Sequence, residues 1–134
     1  MRAYQEALAL DADHRQALFN LGRLLVQGER WAEAAPPLRR LGQLDPHDAE
    51  AAVNLGVAAM SLGEDAEAAE AFVRAIRGNP DLPQAYINLA LLHHGRGRNG
   101  EAIAVLERYA ARNPAAAESL GVPAMIRQLA ALPP

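Results

Sequence analysis

A single spacing organises this chain. Leu21, Leu55 and Leu89 stand 34 residues apart, and so do Asn20, Asn54 and Asn88. The same step joins Ala34, Ala68 and Ala102. It joins Pro46, Pro80 and Pro114, and it brings Leu38, Phe72 and Leu106 into register. Gly22 and Gly56 follow it too, with Ala90 in the third place. Columns sharing one frame in this way are the mark of repeat architectures, in which a unit too small to bury its apolar face alone stacks on its neighbours.

Within each unit the pattern reads helix, short turn, helix. Alanine and leucine fill more than a third of the chain, and both are strong helix formers. Residues 49–62 form a nearly uninterrupted helical stretch that Gly63 is suited to close. Asp65 or a neighbour is expected to cap the next helix. In it Ala68, Ala69, Phe72, Ala75 and Ile76 make one apolar stripe, with Glu67, Glu70, Arg74 and Arg77 opposite. Glu70 and Arg74 have the spacing and order of a favourable helical ion pair. Asn79-Pro80 ends the helix, because a residue before proline avoids the α region.

These residues resemble the tetratricopeptide-repeat family, whose unit is a helix–turn–helix with a Leu-Gly pair in the first helix, then an Ala, a bulky residue and a terminal Pro. Leu21-Gly22, Ala34, Leu38 and Pro46 carry the resemblance in residues 15–48. Leu55-Gly56, Ala68, Phe72, Ala75 and Pro80 carry it in 49–82, and Leu89-Ala90, Ala102, Leu106 and Pro114 in 83–116. It implies an all-α solenoid. The chain departs from the family where bulky residues are usual: those positions hold Leu18, Ala52 and Tyr86, then Leu25, Ala59 and His93. Contacts in the middle unit are therefore expected to be alanine-rich and close. Pro36-Pro37 falls inside a second helix, where proline removes backbone donors. That helix is expected to start late, near Pro36, or to kink, with Gly42 weakening its far end.

The ends read differently. Residues 1–14 resemble the second helix of an incomplete leading repeat, with Tyr4, Ala7 and Leu8 where Phe72, Ala75 and Ile76 would fall. The chain is then an excerpt of a longer array, or that exposed face is covered by a second copy or another protein. After Ala116 the frame is lost. Residues 117–134 read as a capping segment, with a break at Ser119–Val122 and a helix that puts Met125, Ile126, Leu129 and Leu132 near one face.

Composition excludes several functions. The 13 basic residues are all Arg, against 16 acidic ones, and the net charge of −3 argues against a general nucleic-acid binder. Arg39, Arg40, Arg74, Arg77, Arg108 and Arg112 alternate with Glu and read as a solvated outer face. Cysteine is absent, so a thiolate metal site and a cysteine nucleophile are excluded. His93 and His94 are adjacent and diverge by ~100° on a helix, so they do not share a metal. The run Gly95–Gly100 lacks the Lys and the preceding strand of a phosphate loop. Ser61 and Ser119 have no His–acid partners. No cofactor, metal, nucleic-acid partner, membrane span or catalytic residue is expected. A cytoplasmic protein is the expected setting, and the Arg-for-Lys, Ala-rich usage suggests a bacterial one.

The resemblance further implies that first helices line a concave groove. On that face each unit offers an asparagine, Asn20, Asn54 and Asn88, whose amide both donates and accepts hydrogen bonds. Helices packed ~8–10 Å apart and a strand rising ~3.3 Å per residue would bring one Asn to a peptide backbone about every third residue. The arrangement is similar to the asparagine ladder in the repeat domain of O-linked N-acetylglucosamine transferases. Phe19, Arg23, Val53, Val57, Met60, Ile87 and Leu91 flank it, with Gln16, Val26, Gln27, Glu50, Ser61, Gln84 and His94. Val53, Val57, Met60, Ile87 and Leu91 would make an apolar floor. Arg23 is suited to an acidic ligand side chain, or to Glu50 or Gln16 of the scaffold. The carboxylate clamp of chaperone-binding members is absent: Phe19 and Val57 replace polar groups, and Glu50 would repel a carboxylate. The expected function is a protein-interaction adaptor that binds an extended peptide or partner segment in the groove. The alternatives are a structural module that self-associates as a homodimer through the leading half-repeat, and the non-catalytic repeat region of a larger enzyme such as a glycosyltransferase.

Overall fold

The helices keep the frame of the sequence. First helices begin at Arg15, Ala49 and Pro83: α1 is Arg15–Gln27, α3 is Ala49–Ser61 and α5 is Pro83–Gly95. Second helices are α2 (Trp31–Leu44), α4 (Asp65–Gly78) and α6 (Asn99–Arg112), each 14 residues long. Two shorter helices follow, α7 (Pro114–Ser119) and α8 (Val122–Ala130). The structure, a computed structural model, describes Ala3 and residues 14–133. Among them there is no strand, and the fold is the all-α helix–turn–helix solenoid class. Tyr4, Ala7 and Leu8 of the expected half-repeat lie outside the described residues. Two compact units divide the chain, one ending at Asn79 and one beginning at Pro80.

The turns inside repeats share one closure. The amides of Arg30, Glu64 and Arg98 each return 2.8 Å to the carbonyls of Leu25, Ala59 and His93. This closure puts the preceding residue in the left-handed region, at φ +78° for Gly63 and +75° for Gly97. In the first repeat that residue is Glu29, at φ 57°. Of Asp65 and its neighbours, expected to cap α4, it is Glu64 that holds the cap position, without a side-chain cap bond, while Asp65 is already inside the helix. Carbonyl-to-amide closure of the previous turn leaves Asp65 to act on the helix dipole from the first turn. First helices are capped otherwise. His14 Nδ1 accepts from the Ala17 amide at 3.1 Å, Asp48 Oδ1 accepts from that of Ala51 at 3.0 Å, and in the third repeat Pro83 opens the helix.

In the unit ending at Asn79, small residues meet large ones. A Cβ on Gly22 would lie 2.4 Å from Leu38 Cδ2, and one on Gly56 would lie 2.4 Å from Phe72 Cε1. The Leu-Gly pair of the sequence is thus a seat for the bulky residue of the second helix. One core cluster joins Leu21, Leu25, Ala34, Leu38, Leu55 and Ala71, with Trp31 packed against it; Leu18, Leu41 and Ala51 form another. Ala52 and Ala59 are fully buried, as the alanine-rich middle repeat implies.

Two expectations for this unit fail. First, of the two outcomes expected at Pro36-Pro37, the late start does not occur: α2 begins at Trp31 and carries both prolines inside it. The carbonyls deprived of donors belong to Ala32 and Glu33, both exposed residues, where solvent can take the place of the lost donors. Burial of Ala34, Ala35, Leu38 and Leu41 holds the helix together. Second, Glu70 and Arg74 do not pair. The Arg74 guanidinium reaches across to Gly42 instead, its Nη2 2.8 Å from where a Cβ would stand. Gly42 is therefore a place for an arginine as well as a weak helix former.

In the unit beginning at Pro80, Tyr86 and Tyr109 are buried with ring centroids 5.1 Å apart, and the Tyr86 hydroxyl donates to the Pro80 carbonyl at 2.7 Å. Arg112 Nε and Asn113 Nδ2 both donate to Asp81 Oδ1, at 2.8 and 3.1 Å. Pro114 does not only end the third repeat. It opens α7, because its fixed φ suits the first helical position. Gly121, at φ +75°, turns the chain into α8, which packs on α6 and α7 and stands off α5.

Candidate peptide-binding face

The ten residues expected to bind lie on α1, α3 and α5. Asn20, Asn54 and Asn88 occupy one position of three helices and all are half-buried. Asn20 Oδ1 accepts a hydrogen bond from Gln16 Nε2 at 3.1 Å. Asn54 and Asn88 make no hydrogen bond to a described residue, so their amides are open to a ligand. Val57 and Met60 are half-buried one and two turns along α3 from Val53, whose 9% exposure leaves it the least to offer. Arg23 is exposed and pairs with neither Glu50 nor Gln16.

Two cavities take up parts of this face, each within one unit. The first, about 340 Å³, lies where α1 and α3 begin. Phe19 and Gln16 line it together with Asp45, Asp48 and Glu50, and Arg15 is the one cation of its wall. Asp45 and Asp48 are bound to the turn, accepting from the amides of His47 and Ala51. The second cavity, about 280 Å³, separates α5 from α8. Ile87, Leu91, Leu106, Met125, Leu129 and Leu132 supply its apolar wall. Leu91 and Leu132 are exposed at 53% and 45%. His94 and Gln128 are its polar members.

The α8 residues were legible in the sequence only as a capping face. Their spacing carried the signal, since Met125, Leu129 and Leu132 recur at helical intervals. What the spacing did not give is that α8 settles on α6 and leaves α5 partly open.

The outer arginines are largely engaged. Arg39 grips Glu67 with two bonds, Nε–Oε2 at 2.8 Å and Nη2–Oε1 at 2.9 Å, with Glu64 3.9 Å away. That bond holds the Glu67 carboxyl below the usual range and raises Arg39. The Arg112 bond likewise lowers Asp81. Arg108 sits 6.0 Å above the Tyr86 ring. No described helix is long and apolar enough to cross a membrane.

Known proteins agree with this architecture. A crystal structure of MamA superposes with TM-score 0.81 at 27% identity, covering 96% of this chain and 81% of that one. A second MamA crystal structure gives the same score and identity over 75% of its length. PilF of Pseudomonas aeruginosa aligns with TM-score 0.69 at 27% identity, over 81% of this chain and 50% of PilF. No curated protein matches by sequence. The tetratricopeptide-repeat profile matches residues 2–49, 38–83 and 53–117. The chain belongs to the tetratricopeptide-repeat family.

Proposed function

We propose that this chain binds an extended segment of a partner protein along the exposed faces of α1, α3 and α5. The coarser statement, a protein-interaction or scaffold module, follows from its family and fold. The finer one is carried by the open amides of Asn54 and Asn88, half-buried polar groups that the scaffold leaves unbonded. A peptide backbone supplies the N–H and C=O that such amides lack. Asn20, Asn54 and Asn88 hold the ligand backbone, while Phe19, Val57, Met60, Ile87 and Leu91 receive side chains. Val53 backs the floor, and Arg23 is available to an acidic side chain. The module is a binding one, not a catalyst. Its repeats are taken as residues 15–48, 49–82 and 83–116.

The test is selection of an unbiased peptide library by the whole chain, beside the variant Asn20→Ala/Asn54→Ala/Asn88→Ala. Circular dichroism shows that both are folded. Each lost backbone contact is expected to cost ~0.5–1.5 kcal/mol. Equal selection by both chains would refute the asparagine reading.

A further inference from the structure

We infer that Asn99 is a site of spontaneous covalent modification. Its side-chain amide condenses with the backbone nitrogen of Gly100 and is then hydrolysed to an aspartyl or isoaspartyl residue. The inference goes beyond the groove reading and uses none of its residues.

Sequence and structure together single out this asparagine. Of the six in the chain, Asn20, Asn54 and Asn88 precede leucine inside helices, where the leucine nitrogen is held by the helical ladder. Asn79 and Asn113 precede proline, which has no N–H to lose. Asn99 alone precedes glycine. Gly100 has no side chain to shield its nitrogen, is exposed, and has nothing within 4 Å of where a Cβ would stand. It is the second residue of α6, whose first amides have no partner within the helix, and Arg98 at the cap position makes no side-chain bond to them. The nucleophile is thus unhindered and free of the helical ladder.

The reaction balances with water alone. The Gly100 nitrogen gives its proton to hydroxide and attacks the Asn99 Cγ. The new C–N bond closes a succinimide ring as the bond to Nδ2 breaks and ammonia leaves. Water opens the ring at Cγ to give aspartate, or at the Asn99 main-chain carbonyl to give isoaspartate. Water is consumed, ammonia is released, and an amide becomes an acid.

The fold slows the step by a definite amount. Within the helical conformation Asn99 must rotate about its Cα–C bond before the Gly100 nitrogen meets Cγ. That rotation breaks the first-turn bond from the Ala102 amide to the Arg98 carbonyl, 3.1 Å long. The exposed Glu101 adds little through its approaches to His93 and Arg98. Gly95 and Gly97, equally uncrowded, leave the turn room to unwind. One net hydrogen bond corresponds to a slowing of about 2- to 10-fold against the unfolded sequence. The product carries a charge where the amide had none. Asn99 Oδ1 lies 2.8 Å from His94 Nδ1, so the aspartyl form sets a carboxylate beside that ring, at a helix start whose dipole favours it.

The whole chain is incubated at physiological temperature over a series of neutral to alkaline pH values, beside a synthetic peptide of residues 95–104. Cleavage after Arg98 and Arg108 releases residues 99–108, in which mass spectrometry reads the conversion. An isoaspartyl methyltransferase measures the isoaspartyl share. Conversion is expected at Asn99 ahead of every other asparagine, faster as pH rises, and no more than about 10-fold slower than in the peptide. Gly100→Ala, whose methyl meets nothing, should slow it about tenfold in a chain that circular dichroism shows to be folded. A folded chain in which Asn99 outlasts the peptide by more than that margin overturns the inference. So does a Gly100→Ala rate equal to that of the wild type, a rate that pH leaves unchanged, or earlier conversion at another asparagine.

Discussion

Gly56→Ala puts the small-against-large seat to a quantitative test. In an exposed helix interior this substitution stabilises by ~1 kcal/mol, because alanine loses less backbone freedom than glycine. Here the new methyl would lie 2.4 Å from Phe72 Cε1 and 2.7 Å from Cδ1 and Cζ, well inside the 3.4 Å at which ordinary contact begins. Phe72 is fully buried, so its ring has no solvent side to retreat into. Overpacking of this kind costs ~1–3 kcal/mol, and the clash with three ring atoms belongs to the upper half of that range. The net effect should be a destabilisation of ~1–2 kcal/mol. Repeat three supplies the control, since it carries Ala90 and Leu106 at the same two positions, both buried. In the Phe72→Leu background Gly56→Ala should therefore cost less, but not nothing, since in repeat one a Cβ on Gly22 would still stand 2.4 Å from Leu38 Cδ2. Urea unfolding of the four chains, followed by far-ultraviolet circular dichroism, closes the cycle. If Gly56→Ala alone stabilises by the helix-propensity amount, the seat is not tight and the packing argument is wrong.

Three further outcomes follow from other contacts. Glu29→Gly should raise stability by ~0.5–1 kcal/mol, since it relieves an L-residue held at φ 57° in a turn where the later repeats use glycine; thermal unfolding reads it. Asp48→Ala removes the side-chain cap of α3 and should cost ~1 kcal/mol in denaturant unfolding, while Asp48→Asn retains most of it. The Arg39 bond lowers the Glu67 carboxyl from its ordinary 4.5, so its stabilising contribution is full above that pH and fades as pH falls through the lowered value. Unfolding profiles of the wild type and Glu67→Gln should converge as the solution is acidified from pH 4.5 downward, and salt should narrow the gap at neutral pH.

The sequence was most readable where one residue type solves one local problem. The 34-residue step placed helix starts at Arg15, Ala49 and Pro83, and Gly63 ended α3 in the left-handed region as expected. It was misleading where a local rule is overridden by packing or by solvent. Pro36-Pro37 does not end α2, and the residues whose carbonyls lose a donor, Ala32 and Glu33, are exposed. Glu70 and Arg74 have ideal spacing, yet the guanidinium lies over Gly42, where no Cβ bars it. The binding face was half visible. Asparagines at equal spacing announce themselves, but the stand-off of α8 from α5 depends on how three helices settle together, which no spacing within one helix encodes.

The loop at residues 80–82 is fastened to residues that follow it. The Tyr86 hydroxyl holds the Pro80 carbonyl, and Arg112 with Asn113 holds Asp81. Parting of the tyrosine pair should therefore release the Pro80 carbonyl, because the hydroxyl that holds it moves with the Tyr86 ring. Asp81 and Leu82 become natural reporters of when that unit loosens, and a protease that cuts there only after the tyrosines part would time the same event.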